Sequence, residues 1–281
     1  MSATWYLNGI RLDTLGFVPT PAPAGRRSGM SLERTALQFP GLAGELDGGT
    51  APIARARTIS IPGMVRGTSL ADALAKARTV VALAGRGAVT LRCVDASDRV
   101  IAGVLEGETT VEAAQPALAT RQQWVSVTLR FRCAEPYWRD VQPQLLALGQ
   151  TAVACPLGHG APSPFTLEIF GSEGGVVTNP QVLYEDAAGN LVASLTLTGT
   201  LDWGTDATAR YRISTEGLAP RIQKMVAGAW TDAESHLTAG ALFALSPHDG
   251  WPADGVSPTL RLFDAAGRAT GLLTYHRRHE L

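Results

Sequence analysis

The side chains best suited to acid–base or metal chemistry in this sequence are its five histidines. They are His159, His236 and His248 in Gly- or Ser-containing segments typical of turns, and His276 and His279 on either side of two arginines. A zinc-binding helix needs the spacing H-E-x-x-H, and structural zinc sites often use C-x-x-C pairs. The sequence has neither spacing. We therefore interpret the histidines as surface or structural residues, and predict no metal site and no cofactor-binding site.

Motifs for nucleophilic catalysis and phosphate binding are absent from the sequence. There is no G-x-S-x-G elbow, no G-x-x-x-x-G-K-[ST] loop and no dinucleotide-binding fingerprint after a strand. Asp95, Ser97 and Asp98 are oxygen-bearing neighbours, but they lack the regular ligand spacing of a calcium loop and are typical of a turn. The other carboxylates are dispersed over turns and strand exteriors. We predict that the chain is not an enzyme and that it has no catalytic residues.

The six tryptophans are the other chemically distinctive set. Trp203, Trp230 and Trp251 lie beside Gly, Thr, Asp or Pro in segments that we predict to be loops. Exposed tryptophans on a β-protein can stack on sugar rings or anchor a protein interface. We favour core filling or subunit contact for these three residues. Binding of carbohydrate through them remains the alternative.

Length and composition describe a folded protein with two domains. The chain has 281 residues, of which 45% are hydrophobic and 17% charged, and such a length exceeds the usual single domain. Lys and Arg together number 24 against 25 Asp and Glu, which gives a net charge of −1. A chain with this balance exerts no long-range attraction on a polyanion, so the sequence does not favour nucleic-acid binding.

The cysteines and the apolar segments bear on the cellular compartment. Cys93 and Cys133 fall on the inward phase of strand patterns, and Cys155 is far from both, so we predict buried thiols and synthesis at a reducing site, with no disulfide framework. The first residues alternate and carry Arg11 and Asp13, unlike a signal peptide. No run of residues approaches the ~18 apolar residues of a membrane helix.

The first half of the sequence opens with β-structure. Apolar alternating residues flank Asn8 and Gly9, a pair that favours a type I′ hairpin turn. Residues 19–52 are rich in Gly and Pro, and we predict a long loop or arm that could reach a neighbouring subunit in an assembly. Residues 57–62, with the sequence RTISIP, predict a short strand.

A turn between Gly63 and Gly67 should lead into the only predicted helix, residues 69–84. Ser69 is the expected N-cap, and Gly85 could supply a left-handed residue after the last turn. The predicted apolar stripe consists of Leu70, Ala73, Leu74, Ala77, Val81 and Ala84. We interpret this stripe as the face that packs on the first sheet.

The segment from Trp124 to Cys133 has the two-residue period of a half-buried strand. Its inward residues would be Val125, Val127, Leu129, Phe131 and Cys133, with Ser126, Thr128, Arg130 and Arg132 on the other face. Pro136 should end strand pairing at about this point. We therefore predict a first domain over residues 1–141, with Tyr137 and Trp138 plugging the joint to the next domain.

The second predicted domain, residues 142–281, is almost entirely strand-like. Alternating runs begin near Phe165 and Leu191, and further strands are predicted at 209–214, 221–226, 242–245, 259–263 and 271–276. The sequences DAAGN at 186–190 and DAAGR at 264–268 each predict a hairpin loop. Short antiparallel strands without a helix predict a β-sandwich or jelly roll. The predicted fold class is thus mainly β, with one helix in the first domain.

At this point the order of features resembles the distal tail protein family of bacteriophages with long flexible tails. The matching segments are WYLNGI at 5–10, RTISIPGMVRGTSLADAL at 57–74, WVSVTLRFRCAEPYWRD at 124–140, GHGAPSPFTLEIFG at 158–171 and SPTLRLFDAAGRATGLLTYHRRHEL at 257–281. These segments are spread over nearly the whole length of the chain, and their order and spacing carry the resemblance.

The resemblance implies an N-terminal barrel- or sandwich-like β-domain with one helix, which packs into a ring, commonly six-fold, around the tail channel. It also implies a C-terminal galectin-like or jelly-roll sandwich that projects outward. The implied partners are other copies of the chain, the tail tube protein, the tail-associated hub protein and a receptor-binding protein. The implied location is the virion tail tip, after synthesis in the host cytoplasm. A carbohydrate-binding module that recognises host cell-envelope glycans is the alternative function.

Overall fold

The protein is represented by a computed structural model that divides into two compact units, residues 1–141 with 280–281, and residues 142–279. The structure describes residues 4–20, 32–33, 36–37, 46–47, 53–54, 56–94, 98–107, 110–113, 123–157, 163–171, 175–186, 188–216, 220–240, 242–243, 245 and 257–279. The predicted fold class is confirmed, because both units are built mainly from β-strands and the α-helix lies in the first.

The N-terminal unit is a β-sheet covered by a helix. Its strands are β1 (Thr4–Leu7), β2 (Ile10–Arg11), β3 (Phe17–Pro19), β4 (Leu32–Glu33), β5 (Ala36–Leu37), β6 (Leu46–Asp47), β7 (Ile53–Ala54), β8 (Arg57–Gly67), β9 (Ala88–Val94), β10 (Asp98–Leu105), β11 (Thr110–Ala113), β12 (Gln123–Cys133) and β13 (Trp138–Asp140). Helix α1 spans Leu70–Ala84, and a short 3-10 helix spans Leu12–Leu15. The main sheet has the order β2-β1-β9-β10-β12-β8-β3, with β11 paired to β12 and β13 to β10.

The predicted hairpin at the start of the chain is confirmed. Leu7 pairs with Ile10 across the turn, and Asn8 and Gly9 have φ values of 48° and 79°. Positive φ at both central residues defines the type I′ turn, whose twist matches that of the flanking strands. The turn therefore fixes the register of β1, which in turn pairs with β9.

Strand β8 runs past the predicted turn. The turn expected between Gly63 and Gly67 is wrong, because both glycines lie inside Arg57–Gly67, which pairs with β12 over its whole length. Gly63 lies against the ring of Phe17, and a Cβ on it would be only 2.3 Å from that ring. The glycine leaves room for an aromatic side chain from the neighbouring strand β3, and so marks a close approach rather than a chain reversal.

Helix α1 begins and ends close to where the sequence predicts. The Ser69 side chain accepts a hydrogen bond of 3.1 Å from the Asp72 backbone N–H, which satisfies one of the free donors of the first turn. Gly85 is not left-handed, since its φ is −84°. Of the predicted apolar stripe, Leu70 is wrong because it is 42% exposed, whereas Ala73, Ala77 and Ala84 are buried together with Val80.

The core of the N-terminal unit centres on β12. The predicted alternation is confirmed, since Val125, Val127, Leu129, Phe131 and Cys133 are all fully buried. Trp138 on β13, a strand that the sequence did not predict, belongs to the same core. Its ring lies 6.2 Å from that of Trp5, so Trp138 fills the core of this unit.

Within the predicted arm of residues 19–52, the structure describes the short strands β4, β5 and β6, and β7 follows directly after the arm. Strand β4 pairs antiparallel with β7, and β5 pairs antiparallel with β6. The inner pair is nested between the strands of the outer pair in the sequence. The remainder of the arm lies outside the described residues.

The C-terminal unit consists of two main antiparallel sheets. Its strands are β14 (Gln144–Leu148), β15 (Val153–Ala154), β16 (Phe165–Gly171), β17 (Val176–Thr178), β18 (Gln181–Glu185), β19 (Leu191–Leu197), β20 (Thr200–Asp202), β21 (Arg210–Ser214), β22 (Arg221–Val226), β23 (Ala229–Asp232), β24 (Leu237–Gly240), β25 (Thr259–Phe263), β26 (Ala269–Tyr275) and β27 (Arg278–His279). The front sheet is β14-β26-β16-β21-β22-β23, the back sheet is β15-β25-β18-β19-β24, and β17 pairs with β20.

The inward side chains of both sheets form one core, as in a β-sandwich. Leu191, where one of the predicted alternating runs begins, is 59% exposed, because it is the first residue of β19, next to the turn. Residues 242–245 were expected to form a strand, but among the described residues of this segment only Leu245 pairs, in an isolated bridge with Ser163.

The two Asp-Ala-Ala-Gly loops differ. The first is a hairpin loop, as predicted, since β18 and β19 pair directly on either side of it. The second is not a hairpin loop, because β25 belongs to the back sheet and β26 to the front sheet. Asp264 at its start is 2% exposed, and its Oδ1 accepts hydrogen bonds of 2.7 Å from the N–H groups of Arg268 and Ala269. This buried carboxylate fixes a corner between the two sheets.

Candidate functional site

Three of the five histidines, His236, His276 and His279, lie among the described residues. The Nδ1 atom of His236 lies 2.7 Å from the hydroxyl oxygen of Tyr211, whose side chain is fully buried. His279 is buried and His276 half-buried, while His159 and His248 lie outside the described residues. In the part of the chain that the structure describes, no three His, Cys, Asp or Glu side chains come together as metal ligands.

Cys93 and Cys133 are small buried hydrophobes, as predicted, and Cys155 is buried as well. Cys93, Cys133 and Cys155 are all free and buried. Burial raises the pKa of the Cys133 thiol to about 11 and that of the Cys155 thiol to about 12. A thiol held in its neutral form is a poor nucleophile and a poor metal ligand, so both residues act through packing.

Of the three oxygen-bearing residues Asp95, Ser97 and Asp98, the structure describes Asp98. Asp98 accepts a hydrogen bond of 2.7 Å from Nε of Arg92 on the neighbouring strand, and the Arg92 guanidinium lies 5.2 Å from the ring of Tyr6. Asp95 and Ser97 lie outside the described residues. Asp98 therefore contributes to a surface ion pair, which stabilises the sheet only weakly. None of the described helices is long and apolar enough to span a membrane.

The tryptophans singled out by the sequence are not equivalent. Trp203 is held by its own unit: its Nε1 donates a hydrogen bond of 2.7 Å to the carbonyl oxygen of Ala209, and its ring stacks on Phe170 at 5.7 Å. Trp230 lies on β23, a strand rather than the predicted loop, and the guanidinium of Arg212 lies 3.9 Å from its ring centroid. Trp251 lies outside the described residues.

The first candidate surface is the outer face of the N-terminal sheet. Arg130 and Arg132 are exposed on β12 and lie opposite Ser60 and Thr58 of β8. We call these four residues the arginine face. Neither arginine has a carboxylate partner among the described residues. Beside them Val104 on β10 is 50% exposed, so this face combines unpaired positive charge with apolar surface.

The second candidate surface is on the outer face of the front sheet. Arg212 donates hydrogen bonds of 3.0 Å from Nε and 2.6 Å from Nη2 to Oε1 of Glu168. Arg210 donates one of 3.3 Å to Oε2 of the same carboxylate. We call Glu168, Arg210, Arg212 and Trp230 the front-sheet cluster. The sequence did not predict it, because its members lie on three strands, β16, β21 and β23, that are far apart in the chain.

Comparison with solved structures identifies the fold. The Dit protein of phage SPP1, described as a paradigm of the hub adsorption apparatus in phages that infect Gram-positive bacteria, matches with a TM-score of 0.72 and 16% identity over 99% of both chains. A chain of the phage P2 baseplate in its activated conformation with calcium matches with a TM-score of 0.47 and 10% identity, over 99% of this chain and 98% of that one. No protein-family model and no curated protein sequence matches the chain. The fold expected from the resemblance to distal tail proteins is confirmed by the first of these matches.

Proposed function

We propose that this chain is a structural protein of a phage tail, a distal tail protein that joins the tail tube to the hub at the tip. One observation carries the proposal: the match to the SPP1 Dit protein extends over 99% of both chains. The likeness therefore includes the N-terminal sheet with its helix and the C-terminal sandwich, in the same order. A β-sandwich alone is shared by many unrelated functions, but this combination of two units is much more specific.

The proposed mode of action is assembly of the N-terminal units into a closed ring. Ring formation requires a head-to-tail contact, in which one surface of each copy meets a different surface of the next. The N-terminal unit offers two features suited to such a contact. The main sheet ends at β2 and β3 among the described residues, and strand edges can pair with another chain. The arginine face, with its unpaired charge, can be neutralised by carboxylates of a neighbouring copy.

The first test is imaging of the purified protein, alone and with the tail tube and hub proteins of the same phage. Rings with a central hole are expected, either from the chain alone or only with these partners. Light scattering should give a mass that corresponds to a closed oligomer. A strict monomer that never joins tail components would contradict the proposal.

A second test addresses the contact surface. Reversal of both charges in Arg130→Glu with Arg132→Glu should prevent ring formation, because the face would then repel the carboxylates that neutralise it. The matched control is Arg221→Glu, since Arg221 is an exposed strand arginine of the C-terminal unit. Rings that form equally well in all variants would remove the arginine face from the contact, and the imaging result would still decide the function.

A further inference from the structure

We propose that the outer face of the front sheet binds an anionic glycan, with carboxylate-bearing sugar rings placed over the front-sheet cluster. This activity would be separate from the proposed role in tail assembly, and it does not depend on it. Of the three tryptophans that the sequence suggested for carbohydrate binding, this site uses only Trp230. The argument rests on the placement, the chemistry and the charge of the cluster.

The cluster extends from the middle of the front sheet to its edge strand β23. Glu168 on β16 lies opposite Arg212 on β21, and Arg212 lies opposite Gln223 on β22. Trp230 lies opposite Met225, one strand further along. The contact between Arg212 and Trp230 thus spans the intervening strand β22. The result is a surface of polar side chains and one aromatic ring that extends across β16, β21, β22 and the edge strand β23.

The cluster holds its groups in fixed orientations. The Glu168 carboxylate receives hydrogen bonds from both arginines, and its side chain is only 22% exposed, against 30% for Arg210 and 34% for Arg212. The contact of Arg212 with Trp230 at 3.9 Å is a cation–π interaction, which restrains the guanidinium further. A site whose side chains are already ordered loses less conformational entropy when a ligand binds.

These residue types suit a sugar ring. A guanidinium presents several N–H donors in one plane, and these can bind hydroxyl or carboxylate oxygens in pairs. A tryptophan ring combines a large apolar face with a polar edge, which matches a ring that is apolar on its faces and polar at its rim. The surrounding outward residues are small and hydroxylated: Thr166 lies opposite Ser214 on one side and opposite Thr274 on the other.

The charge of the face favours an anionic ligand over a neutral one. The outward side chains of β16, β21, β22 and β23 include three arginines against two carboxylates; they are Arg210, Arg212, Arg221, Glu168 and Asp232. Arg221 has no carboxylate partner among the described residues. A sugar carboxylate could therefore bind the guanidinium of Arg221, next to the ordered guanidinium of Arg212. Complementary charge raises both the specificity and the rate of association.

The back sheet supplies a control with the same ion-pair chemistry. Arg261 on β25 pairs with Glu185 on β18 at 2.7 Å, and its side chain is 38% exposed. In the described residues no aromatic ring stacks on this guanidinium. Removal of Arg261 thus breaks an Arg–Glu pair on a sheet exterior, as removal of Arg212 does, without affecting the proposed site.

The experiment is calorimetric titration of the full-length protein with oligogalacturonate, whose sugar rings carry carboxylates, and with its methyl-esterified form, in which they are neutral. The protein should bind the free acid, bind the ester at least about tenfold more weakly, and lose affinity as salt is added. Arg212→Ala and Trp230→Ala should each weaken binding of the acid about tenfold or more, whereas Arg261→Ala should leave it unchanged within about twofold. Trp230→Phe keeps a ring at this position and should retain most of the binding.

Several outcomes would overturn the proposal. These are failure of both oligosaccharides to bind, equal binding of the acid and the ester, or an equal loss in Arg212→Ala and Arg261→Ala. If Arg212→Ala abolishes association with tail proteins while no glycan binds to the wild type, the face is a protein interface instead. Circular dichroism of each variant, together with its oligomeric state, separates loss of the site from loss of the fold. Because ring formation is measured independently, failure of glycan binding leaves the structural role untouched.

Discussion

Arg130, Phe131 and Arg132 on β12 and Arg210, Tyr211 and Arg212 on β21 share one local pattern, an aromatic residue between two arginines. In both strands the aromatic side chain is fully buried and the arginines point outward. On β21 both guanidiniums bind one carboxylate, that of Glu168. On β12 the residues opposite the arginines are Ser60 and Thr58, and among the described residues no carboxylate pairs with either arginine.

The difference comes from the neighbouring strand, not from the strand that carries the pattern. Outward side chains directly opposite each other in an antiparallel pair are close enough to interact. Opposite Arg212 lies Glu168, whereas opposite Arg130 lies Ser60. The front sheet therefore neutralises Arg210 and Arg212 internally, whereas the N-terminal sheet leaves Arg130 and Arg132 exposed without a carboxylate partner among the described residues. Four experiments test this difference between the two strands.

The largest effect should come from the buried aromatic residues, in which the two strands are alike. Phe131→Ala and Tyr211→Ala should each lower the free energy of unfolding of their unit by about 3–5 kcal/mol, because each leaves a cavity in a packed core. Urea denaturation of each variant against the wild type measures the change. A loss below about 1 kcal/mol in one of them would mean that the two strands do not have equivalent roles in their cores.

The next effect should come from the Tyr211 hydroxyl at alkaline pH. Burial raises the pKa of Tyr211 to about 12 from an ordinary value of 10.0. The folded state thus favours the neutral phenol, so this stabilisation is complete below about pH 10 and is lost as the pH rises towards 12. The loss amounts to roughly 2–3 kcal/mol.

Phe131 cannot titrate, although the N-terminal unit has a contribution of the same sign from Cys133, whose thiol pKa burial raises to about 11. Between about pH 10 and pH 12, the free energy of unfolding should fall less steeply with pH in Tyr211→Phe than in the wild type. Identical pH dependence in the two proteins would show that the Tyr211 hydroxyl does not titrate with folding.

A smaller effect should follow when the C-terminal pair is made to resemble the N-terminal one. Glu168→Gln keeps the shape of the side chain but removes its charge, so both arginines lose their ionic partner. Because these side chains are partly exposed, we expect a loss of only about 0.5–1 kcal/mol. The loss should shrink at high salt, which screens the interaction in the wild type. A larger loss that salt does not change would indicate a packing effect.

The smallest effect should come from the converse change. Ser60→Glu places a carboxylate opposite Arg130 and should stabilise the N-terminal unit by about 0.2–1 kcal/mol. Ser60→Gln is the matched control, since it has nearly the same size without the charge. If the arginine face is a ring contact, Ser60→Glu should also weaken ring formation, because the charge would already be neutralised. Equal unfolding free energies for the two variants would show that residue 60 does not reach Arg130.

Features set by residues close in the sequence could be predicted from it. Asn8 and Gly9 determine their turn because each can take a positive φ, and Ser69 begins the helix through its own side chain. The alternation from Val125 to Cys133 placed every one of its apolar residues in the core. In each case the residues that cause the feature lie within a few positions of it in the sequence.

Features set by distant residues could not be predicted in this way. Gly63 was interpreted as a turn residue because nothing nearby indicates that the ring of Phe17 needs its space. The front-sheet cluster was missed for the same reason. Glu168, Arg212 and Trp230 come together only through pairing of strands that are separated by long stretches of chain.

The two Asp-Ala-Ala-Gly loops also bear on how the molecule can be extended by genetic fusion. Around the first loop the Asp186 N–H donates to the Asn190 carbonyl oxygen at 2.9 Å, so the chain leaves and returns at nearly the same point. A reporter or an affinity tag inserted between these residues would have its two ends close together and would leave the pairing of β18 and β19 in place. The second loop is less suited to such a graft, because its Asp264 is buried, whereas Asp186 of the first loop is only half-buried. The segments DAAGN at 186–190 and DAAGR at 264–268 differ only in their last residue, yet the first is the better position for an insertion.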